Sequence, residues 1–106
     1  MTTTERSVLE DLRRRLTRRL TLHSMSLFGS RARGDADRDS DMDVLIVLED
    51  RVDAAAEEYV RLCAWEAGIE EGIIIVPVTV SRAEWQEGPL SSSLLALAVE
   101  KEGVTV

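Results

Sequence analysis

The sequence predicts an α+β (α/β) fold, a small mixed sheet flanked by helices. Two apolar runs, Val44–Leu48 and Ile73–Val80, are rich in β-branched residues and predict buried strands. Around them, apolar residues recur every three or four positions, which indicates amphipathic helices. The fold is α+β if the strands pair antiparallel. With 106 residues, 44% of them hydrophobic, the chain is expected to form a single domain over residues 1–106.

The first helix is expected to begin after a cap at Thr4 and to run to about Leu20. Its apolar stripe comprises Val8, Leu9, Leu12, Leu16 and Leu20, and its other side carries Arg13, Arg14, Arg15, Arg18 and Arg19. Those arginines are either a basic patch for nucleic acid or an acidic partner, or a solvated face whose last-turn cations suit the helix dipole. The formal net charge of −7 favours the solvated face.

The middle of the chain alternates strands and helices. A short strand is expected over His23–Phe28, and His23 is interpreted as structural, with a general-base role as the lesser alternative. After the apolar run Val44–Leu48, Asp53 is expected to cap a second helix to about Ala67, stopped by Gly68. The aromatic residues of this helix, Tyr59 and Trp65, are interpreted as core or groove-lining residues rather than platforms for stacked bases.

The last third contains a second apolar strand and two further helices. Because Pro77 cannot donate a backbone hydrogen bond, the strand Ile73–Val80 is expected at a sheet edge or with a bulge. Ser81 is expected to cap a short helix through Trp85. A last helix is predicted over Ser91–Glu102, and Val104–Val106 is expected to add a short final strand.

Charge and cysteine content limit the cellular setting. Residues 1–38 carry nine arginines against five acids (+4), whereas residues 39–106 carry four basic residues against fifteen acids (−11). This balance argues against direct nucleic-acid binding through phosphates. The single Cys63 cannot form an internal disulfide, and neither a signal-peptide core nor a membrane-spanning run is evident. We therefore expect a cytoplasmic protein with no membrane association.

The most informative stretch runs from Phe28 to Leu48. Asp41 and Asp43 are spaced i and i+2 where a buried strand begins, so both should project from one face at its mouth. Two such carboxylates suit Mg²⁺, which binds through one or two carboxylates plus phosphate. Upstream, Gly29 lets the backbone approach a ligand, and Ser30 offers a hydroxyl and a helix N-cap with free amides for phosphate. The stretch therefore predicts a site for a metal-bound polyphosphate.

The stretch from Phe28 to Leu48 has two other interpretations. The first is a solvated acidic loop with no site, which is disfavoured because the loop runs directly into a strand and follows a Gly-Ser turn. The second is a calcium loop, because aspartates alternate from Asp35 to Asp43. An EF-hand needs glycine at its sixth position and glutamate at its twelfth, and Ser40 and Ile46 stand there instead. The calcium loop is excluded.

The pattern GSRARG followed by SDMDV, with ten residues between Gly29-Ser30 and Asp41, resembles the signature of the minimal nucleotidyltransferase family, which belongs to the DNA polymerase beta superfamily. The resemblance covers essentially the whole chain and implies the nucleotidyltransferase fold. It also implies transfer of a nucleotidyl group from a nucleoside triphosphate, expected to be ATP, to a hydroxyl acceptor, with release of pyrophosphate and with Mg²⁺ as cofactor.

The resemblance carries roles to individual residues. Asp41 and Asp43 match the family's catalytic, metal-binding aspartates. Gly29 and Ser30 match the turn that holds the triphosphate. Arg33, which belongs to the motif, and Arg31, which is the weaker candidate, are placed to bind the nucleotide and neutralise charge on the leaving pyrophosphate.

One departure from the family pattern concerns the metal site. Active members usually carry a third carboxylate on a later strand, which completes a second metal site. The corresponding strand Ile73–Val80 contains no acid, and only Glu70 and Glu71 precede it. One metal is therefore better supported than two.

Two functions follow. The first is an enzyme that modifies a hydroxyl, with a partner protein as one candidate acceptor, in the role of the antitoxin of a toxin–antitoxin pair. The second is a catalytically weak or inactive module that binds and masks a HEPN-type helical partner, as family members often do. The complete motif favours the enzyme, whereas the missing third acid favours the module. A hydrolase is a distant third, since no general base can be placed.

Overall fold

The structure, a computed structural model, describes residues 1–33, 41–88, 96, 99 and 103–105. Its elements, in chain order, are α1 (Thr3–Leu16), β1 (Leu22–Phe28), α2 (Ser30–Arg33), β2 (Met42–Leu48), α3 (Ala54–Ile69), β3 (Ile75–Ser81), α4 (Arg82–Gln86) and β4 (Val104–Thr105). The predicted final strand is thus present as β4. The helix predicted over 91–102 lies outside the described residues, apart from Ala96 and Val99, which are helical.

The strands form one four-stranded mixed sheet in the order β3-β2-β1-β4. β2 pairs antiparallel with β1 and parallel with β3, and β1 pairs antiparallel with β4. This mixture of antiparallel pairs and one parallel crossover through α3 confirms the predicted α+β architecture. β2, which begins between Asp41 and Asp43, lies inside the sheet with a neighbour on each side.

Both faces of β2 are covered, which explains its continuous apolar run. One face packs in the main core with the apolar sides of α1 and α3, and it consists of Met42, Val44, Ile46 and Leu48. The opposite face holds Leu45 and Val47, which pack with Phe28, Val78, Val80, Trp85 and Val99. Asp43 alternates onto this second face, away from α1 and α3.

Helix α1 differs from its prediction at both ends. Its cap is Thr2, not Thr4: the Thr2 hydroxyl accepts from the Glu5 amide at 3.0 Å, and the Glu5 carboxylate accepts from the Thr2 amide at 2.8 Å. This reciprocal capping box satisfies two amides that a cap at Thr4 would leave unpaired. The helix ends at Leu16 rather than Leu20, because Thr17 caps it and bonds its hydroxyl back to the Arg13 carbonyl.

The predicted apolar stripe of α1 is confirmed, since Val8, Leu9, Leu12 and Leu16 are buried in the main core and Leu20 packs against it. On the other side, Arg15 forms ion pairs with Asp11 and with Glu66 of α3. Part of the basic side is therefore tied to neighbouring acids within the chain.

Helix α3 begins as predicted, with the Asp53 carboxylate accepting from the Ala56 amide at 2.8 Å. The prediction that Gly68 stops the helix is wrong, because α3 continues to Ile69 and Gly68 is buried inside it. The chain returns so closely that the Ile73 amide bonds to the Gly68 carbonyl at 3.0 Å, and a Cβ on Gly68 would overlap the Ile73 carbonyl oxygen. Close packing, rather than helix termination, requires this glycine.

Strand β3 lies at the edge of the sheet, as Pro77 predicted. The Met42 amide donates to the Ile74 carbonyl at 2.9 Å. Because backbone groups alternate in direction along a parallel ladder, those of Ile74 and Val76 face β2 and those of Pro77 face outward. The missing amide of Pro77 therefore costs no hydrogen bond in the sheet.

The bounds of β3 differ slightly from the prediction, since the strand begins at Ile75, two residues later than expected. Ser81 caps α4 as expected, through a capping box with Glu84.

The two aromatic residues of α3 occupy different surroundings. Tyr59 is half-buried against the main core and donates its hydroxyl to the Arg15 carbonyl. Trp65 is 60% exposed, so it is not a core residue; it lines a shallow groove between α3 and β3, as the groove-lining alternative predicted.

His23 lies at the far end of β1 from Gly29, where its ring pairs with the carboxylate of Glu49 at 2.8 Å. In the described part of the chain, no helix has the length and apolar character needed to cross a membrane.

The close approach at Gly68 leads to a stability prediction. Helix propensity alone would make Gly68→Ala stabilising by about 1 kcal/mol. We expect instead a loss of about 1–3 kcal/mol in the free energy of unfolding, because the new methyl group overlaps the Ile73 carbonyl and must push the chain apart. Urea denaturation of the two proteins measures the difference. A stability gain would contradict the close contact.

Candidate functional site

The two aspartates of the motif lie at the start of β2. Asp43 is the second residue of the strand and is half-buried, whereas Asp41 immediately precedes the strand and is exposed. Met42 between them is fully buried on the opposite face. The alternation that predicted a shared face for the two carboxylates is therefore present in the structure.

The two carboxylates interact unfavourably in the absence of a cation. Partial burial raises the pKa of Asp43, and the nearby negative charge of Asp41 raises it further. Both effects penalise the ionised form of Asp43. A bound cation would remove this penalty, so the local electrostatics favour a positively charged ligand.

The Gly29 turn lies directly against Asp43. Phe28, the last residue of β1, pairs across the sheet with Asp43, which places the following residue beside its carboxylate. Gly29 has a positive φ of +78°, and a Cβ there would overlap the Asp43 carboxylate oxygen. Glycine is therefore required both for the backbone conformation and for the contact. The structure brings the predicted phosphate turn and a predicted metal ligand together.

Helix α2 follows this turn at once, and its described residues make a single turn. It begins at Ser30, which is its first residue rather than the residue before it, and it ends at Arg33. The Ala32 amide donates to the Gly29 carbonyl at 3.1 Å, which joins α2 to the turn. The roles assigned to Ser30 and Arg33 stay predictions.

Arg31 lies inside the protein more than its proposed role suggests. Its side chain is only 9% exposed, and its Nη1 donates to the carboxylate of Glu5 at 3.0 Å. Glu5 is a residue that the sequence interpretation did not single out. A signal was present, since Thr2-x-x-Glu5 is a capping-box pattern, but nothing in the sequence connects Glu5 with Arg31, 26 positions further on.

No carboxylate of β3 completes the pair of aspartates. Val76 is in register with Asp43 and so lies beside it on the same face of the sheet. Glu70 and Glu71 line a groove between α1 and α3, on the side of the sheet opposite Asp43. Within 1–33, 41–88 and the few later residues described, no three His, Cys, Asp or Glu side chains form a group that could hold a metal. The two motif aspartates are the donors that this part of the chain offers.

A second feature missed in the sequence is an exposed apolar face, which we call the α3–β3 face. It comprises Leu62, Trp65, Ile69, Ile74 and Val76. Leu62, Trp65 and Ile69 follow helical spacing on the outer side of α3, and Ile74 and Val76 border the groove beside them. The face ends at Val76, next to Asp43.

Comparison with known proteins identifies the class. The model of the nucleotidyltransferase domain family matches residues 6–94, and the chain belongs to this family. No match was found among curated proteins.

Solved structures share the fold. A toxin–antitoxin structure with AMP-PNP is 22% identical, with a TM-score of 0.63 over 95% of this chain and 70% of that one. A tri-AMPylated HEPN toxin from Shewanella oneidensis in complex with MNT antitoxin gives 19% identity and a TM-score of 0.56, over 96% and 67%. The toxin–antitoxin MntA-HepT gives 19% and 0.55, over 96% and 68%. At these identities the likeness establishes a minimal nucleotidyltransferase fold.

The contact between Gly29 and Asp43 can be tested with a matched pair of variants. Gly29 and Gly72 both have positive φ, +78° and +67°, so alanine at either should cost about 1–2 kcal/mol of backbone strain. Only at Gly29 would the methyl group meet Asp43; nothing lies within 4 Å of the corresponding position at Gly72. We expect Gly29→Ala to be the more destabilising of the two by about 1–3 kcal/mol.

Urea denaturation of both variants measures this difference. Equal losses would show that backbone strain alone accounts for Gly29 and that its contact with Asp43 contributes nothing.

Proposed function

We propose that this protein is a Mg²⁺-dependent nucleotidyltransferase that transfers a nucleotidyl group from ATP to a hydroxyl acceptor. The observation that supports this best is the packing of the Gly29 turn against Asp43, with Asp41 on the same face. A turn suited to phosphate and two carboxylates suited to a metal thus occupy one place. The buried free thiol of Cys63 suits a reducing compartment, and a cytoplasmic location is part of the proposal.

The donor set fits Mg²⁺. Carboxylate oxygens are its preferred protein ligands, and a site with two of them leaves room for oxygens of the nucleotide. The mutual repulsion that raises the pKa of Asp43 would be relieved by the cation. When bound, the ion would draw the triphosphate to the carboxylates and withdraw electrons from the reacting phosphorus.

The remaining roles fall to the turn and to α2. Gly29 allows the backbone to approach the phosphates, and Ser30 with the first amides of α2 would bind their oxygens. Arg33 would counter the charge that develops on the leaving group. Arg31, the weaker candidate for that role, has its Nη1 bonded to the buried carboxylate of Glu5. The acceptor oxygen forms a bond to the α-phosphorus as the bond to the β-phosphate oxygen breaks, pyrophosphate leaves, and the hydroxyl proton is released.

The apolar residue beside Asp43 limits this chemistry. Because Val76 occupies the position in β3 where a third carboxylate could reach the metal site, Asp41 and Asp43 support one ion rather than two. Activation of the acceptor hydroxyl then depends on a group outside this pair of aspartates. Nucleotide binding is accordingly the better supported half of the proposal.

The experiment replaces both aspartates. We expect the Asp41→Ala/Asp43→Ala double variant to lose Mg²⁺-dependent ATP binding by at least about tenfold, since truncating charged groups in a binding site costs 2 kcal/mol or more. Calorimetric titration of ATP with and without Mg²⁺ measures the affinity, and pyrophosphate release in cell extract measures turnover.

The control variant is Glu57→Ala/Glu58→Ala, which removes the same charge from the exposed surface of α3. It should bind ATP as the unaltered protein does. Equal affinity in the aspartate variant and the unaltered protein would refute the site, and binding without pyrophosphate release would favour the second candidate function.

The second candidate is a binding module that masks a HEPN-type helical partner, and the α3–β3 face favours it. Three exposed large apolar side chains, those of Trp65, Ile74 and Val76, line one groove, an arrangement typical of protein interfaces. Structures with this fold include complexes of HEPN toxin with MNT antitoxin.

This docking surface can be tested with a HEPN-type protein from the same genome. We expect Trp65→Ala/Ile74→Ser to weaken its binding at least about 30-fold, because a buried tryptophan at an interface contributes 2 kcal/mol or more. ATP affinity should not change, since neither residue belongs to the phosphate turn or the aspartate pair. Surface plasmon resonance measures the first quantity and calorimetry the second. Unchanged partner affinity would exclude this face as the interface.

A further inference from the structure

Glu5 is a buried charged residue that lies outside the GSRARG motif. Its side chain nevertheless contacts Arg31 of that motif. Its carboxylate Oε2 accepts from Nη1 of Arg31 at 3.0 Å. The side chains of Glu5 and Arg31 are only 7% and 9% exposed, respectively. The pair connects the first turn of α1 with α2, which are separated by the whole of β1.

The Glu5 carboxylate is held rigidly at the head of α1. Its second oxygen, Oε1, accepts from the Thr2 amide at 2.8 Å, and its own amide donates to the Thr2 hydroxyl. Burial tends to raise the pKa of Glu5, but hydrogen bonds from the Thr2 backbone and from Arg31 outweigh it and hold the pKa below its ordinary value. The carboxylate is therefore a fixed, ionised acceptor for Arg31.

Helix α2 needs such an anchor. Its described residues, Ser30–Arg33, make one turn, which is too short to be stable by its own hydrogen bonds. Contacts with the rest of the chain hold it in place. Ala32 packs against the main core, and Arg31 reaches Glu5. The register of β1 and β2 places Gly29 against Asp43, and because the Ala32 amide bonds to the Gly29 carbonyl, α2 holds the other end of the same turn.

We propose that Glu5 is a positioning residue that acts through Arg31, holding α2 against α1 so that the Gly29–Ser30 turn stays in place to receive the triphosphate. This inference rests on the proposed nucleotidyltransferase function. It differs from a purely structural ion pair because the element it holds carries the phosphate turn. It also differs from direct contact of Arg31 with the nucleotide, because Glu5 itself is then needed for binding.

The experiment compares Glu5→Gln, Arg31→Gln and the double variant with the unaltered protein, by calorimetry of Mg²⁺–ATP binding. If the pair acts as a unit, each single variant and the double variant should lose Mg²⁺–ATP affinity by the same factor. We expect a loss of about tenfold, because displacing a binding group by about 1 Å can cost up to about 100-fold. The matched control is the exposed ion pair of α3, Glu58→Gln/Arg61→Gln, which should bind as the unaltered protein does.

Amide hydrogen exchange without nucleotide gives a second, independent readout. Loss of the pair should speed exchange of the amides of residues 29–33 and leave those of α3 unchanged. If Glu5→Gln fails to fold, Glu5→Asp keeps the charge but shortens the reach by one methylene, and it should show a smaller loss of the same kind.

Two outcomes would overturn the inference. An Arg31→Gln loss far larger than that of Glu5→Gln would show that Arg31 acts on nucleotide binding independently of Glu5. A lower melting temperature with unchanged affinity and unchanged exchange at residues 29–33 would show a purely structural pair. If the unaltered protein binds no Mg²⁺–ATP, the proposed function fails, and the exchange data alone decide whether the pair holds the turn.

Discussion

The contact between the Gly29 backbone and the Asp43 carboxylate is the constraint around which this small fold is arranged. It exists because β1 and β2 pair antiparallel with Phe28 opposite Asp43, so that the chain leaving β1 passes directly over the carboxylate. β2 can hold that register because apolar neighbours cover both of its faces. A slip of one residue would send every side chain of β2 to the wrong face. The packing of the core thus fixes the geometry of the site.

Strand β2 holds the two carboxylates of the site in an electrostatically unfavourable position. Asp43 is half-buried beside a second carboxylate, and no carboxylate of β3 shares the site, since Val76 lies next to it. The energetic cost of ionising Asp43 in this position is typical of a binding site, where a ligand of opposite charge offsets it. The ion pair of Glu5 and Arg31 contributes a different kind of support, because it connects α1 to the short helix that follows the turn.

Sequence patterns predicted most of the helices and strands. The spacing of apolar residues shows which side of an element is buried, and this spacing is visible within the element's own sequence. The sequence correctly predicted three local features: the alternation at Asp41 and Asp43, the edge position of the strand with Pro77, and the helix cap at Asp53. The ends of α1 were missed although Thr2-x-x-Glu5 is a local capping pattern, whereas the other errors concern contacts between distant segments. Gly68 looked like a helix stop, whereas the Ile73 carbonyl that packs against it belongs to the next segment of chain. Trp65 lies on a helix that is buried on its other side, and only the fold shows which side faces out.

The sequence by itself determined the family, the α+β class and the pairing of a Gly-Ser turn with two carboxylates, because these depend on residue types at fixed short spacing. The tertiary structure decided which distant residues meet. It placed Val76 rather than an acid beside Asp43, and it paired Arg31 with Glu5. It also left an apolar side of α3 exposed, with Ile74 and Val76 exposed beside it. Strand order and register bring together residues tens of positions apart, and no local periodicity carries that information.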